Sequence, residues 1–206
     1  AYDCRQTISP QKWGMSGMSG RFTDPLYSPG SDLIALYNTM LVDAILSEDQ
    51  ESLERKAELY EPLMKVFYEA YVPSYSVSYD ALGDQEVFTL KYAWELAIYF
   101  SFYVFPFMTE SSFVQAFFRK FAQLGPINRN LQELLHSFYE WKGTNAASQP
   151  KVLNDFMELT PLKTAETAFY EFGLDPDEAE EVLQSHLENL KEFARFVYVY
   201  VASRVL

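Results

Sequence analysis

The sequence predicts a mainly α-helical chain, and three observations carry that reading. From Ser31 onward apolar residues recur at helical spacing almost without interruption. Residues 1–30 instead concentrate the chain-breaking residues, with four of the eight glycines (Gly14, Gly17, Gly20, Gly30) and three of the ten prolines. Near the C-terminus, Asp175-Pro176-Asp177-Glu178 combines a capping acid, a first-position proline and first-turn acids, the signature of a helix start.

Taken in order, residues 1–30 read as a short strand and a glycine-rich loop under tight backbone constraint. Leu33, Leu36, Tyr37, Met40, Leu41, Ala44 and Ile45 form one stripe of a first helix, capped by Ser31 or Asp32. A second helix is expected over 51–72, with Leu53, Tyr60, Leu63, Met64, Phe67 and Tyr71 inward, a kink at Pro62 and an end at Pro73. A Tyr-rich turn over 74–83 precedes a central helix over 86–105, apolar on all sides and stopped by Pro106. Phe113, Val114, Phe117, Phe118 and Phe121 mark a fourth helix. Gly125-Pro126 separates it from a fifth that carries Leu131, Leu134, Leu135, Phe138 and Tyr139. A polar linker over 143–149 is a possible sub-boundary, followed by short amphipathic pieces at 152–159 and 161–172. The last helix runs to about residue 205, its stripe made of Val182, Leu183, Leu187, Leu190, Phe193, Ala194, Val197 and Val201.

Composition narrows the function classes. The chain has 206 residues and a net charge of −13, with no Lys/Arg cluster, which argues against nucleic acid or an anionic membrane as partner. One cysteine, Cys4, allows neither an internal disulfide nor a thiolate metal site, and with no signal sequence visible the expected location is cytoplasmic. The longest apolar run, 96–108, is shorter than the roughly 20 residues of a membrane span. Aromatic residues make up 17% of the chain, which suits a core and could also line a pocket for a flat ligand.

Two histidines leave little room for metal chemistry. Glu133-x-x-His136 has the spacing of a helical carboxylate–imidazole pair, but His186 supplies no second copy, so no metal is expected and His136 reads as a partly exposed surface residue. No Gly-x-Ser-x-Gly elbow introduces a nucleophile, and no catalytic acid or base stands out.

The segment 13–32 carries the strongest functional signal. A Pro-Gly-Ser start to a helix aims backbone N–H groups at the positive end of the helix dipole, where an electron-rich ligand edge can be held. The string Arg21-Phe22-Thr23-Asp24-Pro25-Leu26-Tyr27-Ser28-Pro29-Gly30-Ser31-Asp32 resembles the flavin-contacting motif of FAD-dependent oxidoreductases of the halogenase-like group, within the flavoprotein monooxygenase class. Leu59-Tyr60, Glu86-Val87-Phe88, Lys91-Tyr92 and Pro106-Phe107-Met108 are similar to the helical C-terminal region of the same group, so that the resemblance spans 2–140. It implies FAD as cofactor, with Gly17, Asp24, Pro25, Ser28, Gly30 and Ser31 contacting it and the N–H groups of Gly30 and Ser31 facing a flavin carbonyl. It also implies two departures. The acid that follows the family's glycine is replaced by Met18, and the G-x-G-x-x-G half that binds the pyrophosphate is not in this sequence.

Two functions are therefore expected in competition. In one, residues 1–30 are the remnant of a flavin-binding domain and 31–206 a helical domain that completes a flavin and substrate pocket. The partner is then an N-terminal FAD-binding half or a companion polypeptide, and the substrate a small aromatic or apolar molecule. In the other, the chain is a degenerate, non-catalytic helical protein that binds a small apolar ligand or a protein partner.

Overall fold

The computed structural model describes residues 2–26, 28–109, 115–145 and 173–206, together with 163 and 167. The pieces expected at 152–159 and 161–172 lie largely outside these residues, as do Phe113, Val114 and most of the 143–149 linker. The protein is mainly helical with short strands at its N-terminus, as the periodicity predicts. Its packing divides into two compact units, Ala1–Tyr75 and Ser76–Leu206.

In the first unit, residues 1–30 form two antiparallel ribbons. Strand β1 (Tyr2–Asp3) pairs with β4 (Arg21–Phe22), and β2 (Ile8–Ser9) with β3 (Trp13–Gly14). Ribbons of two-residue strands are not stable alone, and a charged clamp holds these to the helices. Glu61 accepts the backbone N–H groups of Thr7 (2.6 Å) and Ile8 (2.9 Å) and the Arg21 guanidinium (2.8 Å), while Arg21 Nε donates to Asp3 at 2.6 Å. Arg21 also donates to the Thr7 hydroxyl and is only 1% exposed.

Helix α1 (Pro29–Ile45) is capped at Ser28, so Ser31 and Asp32, the expected caps, lie inside it. Pro29 occupies the first turn, where its missing N–H costs nothing and its fixed φ suits the helix. Ser28, in the left-handed region at φ 59°, turns the chain into it. Asp32 sits in the first turn, where its charge opposes the dipole. Leu33, Leu36, Tyr37, Met40, Leu41 and Ala44 are buried as the stripe predicts, but Ile45 is exposed. Helix α2 (Gln50–Ser76) runs through both Pro62 and Pro73, so Pro73 does not end it. Each proline forfeits one intrahelical bond, and the burial of Tyr60, Leu63, Met64, Phe67 and Tyr68 along the same face outweighs that loss.

In the second unit a 3₁₀ turn (Tyr79–Gly83) leads to α3 (Gln85–Ile98), whose N-cap Asp84 accepts the Val87 N–H at 3.0 Å. The expected stop at Pro106 is replaced by a π-helical segment, Tyr99–Val104, that passes directly into the short α4 (Phe105–Met108). Proline at 106 has no N–H for the carbonyl four residues back and its ring crowds it. The wider π winding takes up that conflict, with the Phe105 N–H bonding five residues back to Phe100. Helix α5 (Gln115–Thr144) continues through Gly125-Pro126, where a break was expected. Both residues and Ala122, whose carbonyl loses its partner to Pro126, are exposed, so that carbonyl need not be buried unsatisfied. The final helix, α6 (Pro176–Val205), opens on a capping box: Asp175 accepts the Asp177 and Glu178 N–H groups and Glu178 accepts the Asp175 N–H.

The core of this unit is aromatic. Phe102, Phe117 and Phe121 have ring centroids 5.4–6.1 Å apart, and Tyr103 meets Phe121 edge-on at 5.8 Å. Trp94 packs edge-on against Phe193 of α6 and donates its indole N–H to Asn128 of α5 at 2.9 Å.

Candidate functional site

The six residues expected to contact flavin fall on one stretch, from the turn before β4 to the first turn of α1. Gly17 takes a left-handed φ of 62°, which favours glycine. Asp24 is committed locally, accepting the Leu26 N–H at 2.9 Å, and Leu26's own carbonyl accepts the Tyr75 hydroxyl at 2.9 Å. Pro25 is exposed and its carbonyl accepts the Ser28 N–H at 2.9 Å. Ser31 N–H donates back to the Ser28 carbonyl at 3.2 Å, so of the two expected donors Ser31 is committed within the turn, and the Gly30 N–H lies in the first turn of α1 with no acceptor among the described residues. The Met18 thioether lies directly over Gly30. A Cβ added there would come within 2.9 Å of Met18 Sδ, so a larger residue at 30 requires the flexible end of Met18 to move aside.

As a flavin site, this arrangement fits the ring edge alone. Gly30 offers a backbone donor at the positive end of α1, but Met18 offers no acceptor comparable to a carboxylate for ribityl hydroxyls. Any anchor for the rest of the cofactor lies outside these residues.

At the other end of α1 the same unit holds a half-open groove of about 810 Å³. The β2–β3 ribbon forms one wall, with Ile8, Trp13 and Gly14. The C-terminal half of α1 with the α1–α2 link forms the other, and Gln50 Nε2 donates to the Pro10 carbonyl across them at 2.9 Å. None of the six loop residues lines it. Three of its apolar lining residues are exposed: Ile45 by 77%, Val42 by 54% and Trp13 by 42%. Lys12 and Glu48 also line it, and neither takes part in an ion pair among the described residues. The sequence held one signal for this feature. Val42 is an apolar residue off the α1 stripe, and Ile45-Leu46 are apolar residues at a helix end where polar ones are usual.

Comparison with protein-family models, with curated proteins and with solved structures finds no match.

The second unit contains two buried polar clusters, both explained by packing. Lys91, fully buried on α3, donates to Glu95 and to Gln132 Oε1 (3.2 Å), and Gln132 in turn donates to Glu95 (3.1 Å) and Asn128 (3.2 Å). Burial depresses the Lys91 ammonium, against the raising effect of the Glu95 carboxylate. In the other cluster Lys142 donates to Asp84 (2.7 Å) and Glu86 (2.6 Å), and Glu86 also accepts Tyr200 (2.6 Å) and Arg204 (3.0 Å), tying α3 to α5 and α6. Burial alone would raise the Glu86 carboxyl, but these donors hold it below its ordinary range, while burial and Glu86 push the Tyr200 hydroxyl up to about 12.

His136 is half-buried and its Nδ1 lies 3.1 Å from Asp80, while Glu133, its expected metal-spaced neighbour, points to solvent. His186 is 2% exposed, faces the Phe105 ring edge-on at 5.3 Å, and its Nε2 has no hydrogen-bond partner among the described residues. Burial lowers its pKa to about 4, so it is neutral at physiological pH. Among the described residues no helix is long and apolar enough to cross a membrane.

Proposed function

We propose that this chain is the helical, flavin-contacting part of an FAD-dependent oxidoreductase of the halogenase/monooxygenase-like group, acting with a separate dinucleotide-binding polypeptide. The observation that supports this reading is the passage from strand β4 through a tightly turned loop into the N-terminus of α1. There the Gly30 N–H, with no Cβ beside it, meets the positive end of a 17-residue helix. A flavin bound there would supply the redox chemistry. This chain's part is to hold the ring edge, and a donor at that edge favours the negative charge of the reduced ring.

Native mass spectrometry of the protein with its companion chain tests the idea. Flavin is expected in the wild-type assembly and lost in Gly30→Leu, whose side chain would strike Met18. Equal flavin content in the two sinks the proposal.

A second reading, a non-catalytic protein that binds an apolar ligand or a protein partner, is favoured by the groove at the opposite end of α1. An assembly-free, flavin-free chain that still binds through Trp13 and Ile45 would support it.

A further inference from the structure

The groove of the first unit has the size and the mixed lining of a small-molecule site. Its volume of about 810 Å³ lies within the range of such sites, roughly 300–1,000 Å³. Buried Ile8, Leu41 and Ala44 line it together with the exposed Trp13, Val42 and Ile45. The hydrogen bond from Gln50 to the Pro10 carbonyl ties its two walls to each other.

The charged lining specifies what kind of molecule it suits. Lys12, Glu48 and Asp49 all line the groove, all are exposed, and none takes part in an ion pair among the described residues. One ammonium against two carboxylates leaves a negative charge in excess. The helix ends do not reverse this, because the negative end of α1 and the positive start of α2 meet there and offset one another. Trp13 adds an independent feature. Its indole is 42% exposed, and no Lys or Arg among the described residues is seated over it; the cation so placed, Lys142 over Phe138, belongs to the other unit. An open indole beside surplus carboxylate is suited to an organic cation, which gains from the ring and from the charge together.

We propose that this groove binds a small organic ammonium, with an apolar or aromatic body against Trp13, Val42 and Ile45 and its charged nitrogen at Glu48 and Asp49. The inference rests on the ligand-binding reading of the groove and not on the flavin loop, none of whose six residues lines it.

Calorimetric titration of the full chain at pH 7 and about 20 mM ionic strength, where exposed charges are least screened, reads it directly. The probes share one ring system and differ in charge: 1-naphthylmethylammonium, the neutral 1-naphthylmethanol and the anionic 1-naphthylacetate. The ammonium is expected to bind about fivefold more tightly than the alcohol, because a cation on an exposed ring and exposed carboxylates each contribute a few-fold, and the acetate is expected to bind most weakly. Salt at about 0.5 M is expected to bring the three affinities together. Glu48→Gln is expected to weaken the ammonium about twofold and leave the alcohol unchanged, Lys12→Met to tighten the ammonium, and Ile45→Gln to weaken all three probes. These positions are exposed, so the variants are expected to fold, and unchanged circular dichroism checks that they do. Equal affinity for the ammonium and the alcohol overturns the inference alone and leaves a site for neutral apolar ligands. Tighter binding of the acetate also overturns it, since Lys12 would then set the sign. No binding of any probe at about 1 mM removes the ligand-binding reading and the inference with it. The titration needs no flavin, so its failure is separate from failure of the proposed oxidoreductase.

Discussion

Arg21 shows how much of the N-terminal segment depends on one side chain. Its guanidinium satisfies Asp3, Thr7 and Glu61 from a site with almost no solvent contact. Arg21→Met would keep the length of the side chain but leave two carboxylates facing a methyl group. Removing one partner of such a cluster costs about 3 kcal/mol, and urea unfolding is expected to show a midpoint lowered accordingly. His186 makes the opposite kind of statement, a titratable group kept neutral by apolar walls. Its folded pKa, about 4, lies below the ordinary 6.5, so the unfolded chain binds the proton first. Stability is full above pH 6.5 and falls as the pH drops toward 4, by about 3 kcal/mol in all. His186→Leu is expected to flatten that part of the pH–stability curve, and an unchanged slope would place its origin elsewhere.

At the scale of elements, sequence signals were reliable where local chemistry decides. The helix start at Asp175, with its cap, proline and first-turn acids, is read directly from four residues and occurs as written, and the structure adds the reciprocal bond from the Asp175 N–H to Glu178. Asp175→Ala is expected to lower stability by about 1 kcal/mol and to fray the first turn, measurable as faster amide exchange at Ala179. Proline was the least reliable signal. Pro73, Pro106 and Pro126 each looked like a terminus, and each lies inside or directly against continuing helix. A proline's local cost is legible in a sequence, but the tertiary burial that outweighs it is not. The apolar stripes are buried from Leu33 to Ala44 and from Leu183 to Val201, but not at Ile45, which is 77% exposed. The flavin loop was legible as a glycine-rich approach to a helix. That Ser31 N–H would be taken by Ser28, and that Met18 would lie over Gly30, depends on a left-handed serine that no pattern announces.

For the molecule as a whole, acid is the expected route to unfolding. Glu61 and Asp84, like Glu86, would be raised by burial, but their donors outweigh it and hold them below their ordinary values. Glu61 is held by Arg21 and two backbone N–H groups, and Asp84 by Lys142 and the α3 N-terminus. A depressed carboxylate contributes stability that is complete above its unfolded pKa and is lost as the pH falls through the folded one. His186 begins the decline below pH 6.5 and the carboxylates continue it below about 4, where the protein's net charge also turns from negative to positive. Thermal melts are expected to be level from pH 7 upward through the neutral range and to fall in those two stages on acidification. A single sharp stage would mean that the histidine and the carboxylates are not titrating independently.

The π-helical stretch before Pro106 bears on what changes of length the chain can survive. Deleting one residue from an α-helix turns everything beyond it by about 100° and carries buried side chains into water. Between Tyr99 and Val104 the backbone already holds surplus winding, so a one-residue deletion there relaxes to ordinary α-helix and leaves Phe105 still facing His186. The same deletion in the middle of α6 would rotate Phe193, Val197 and Val201 out of the core. Of the long helical course of this protein, that short segment is where a lost codon would do least harm.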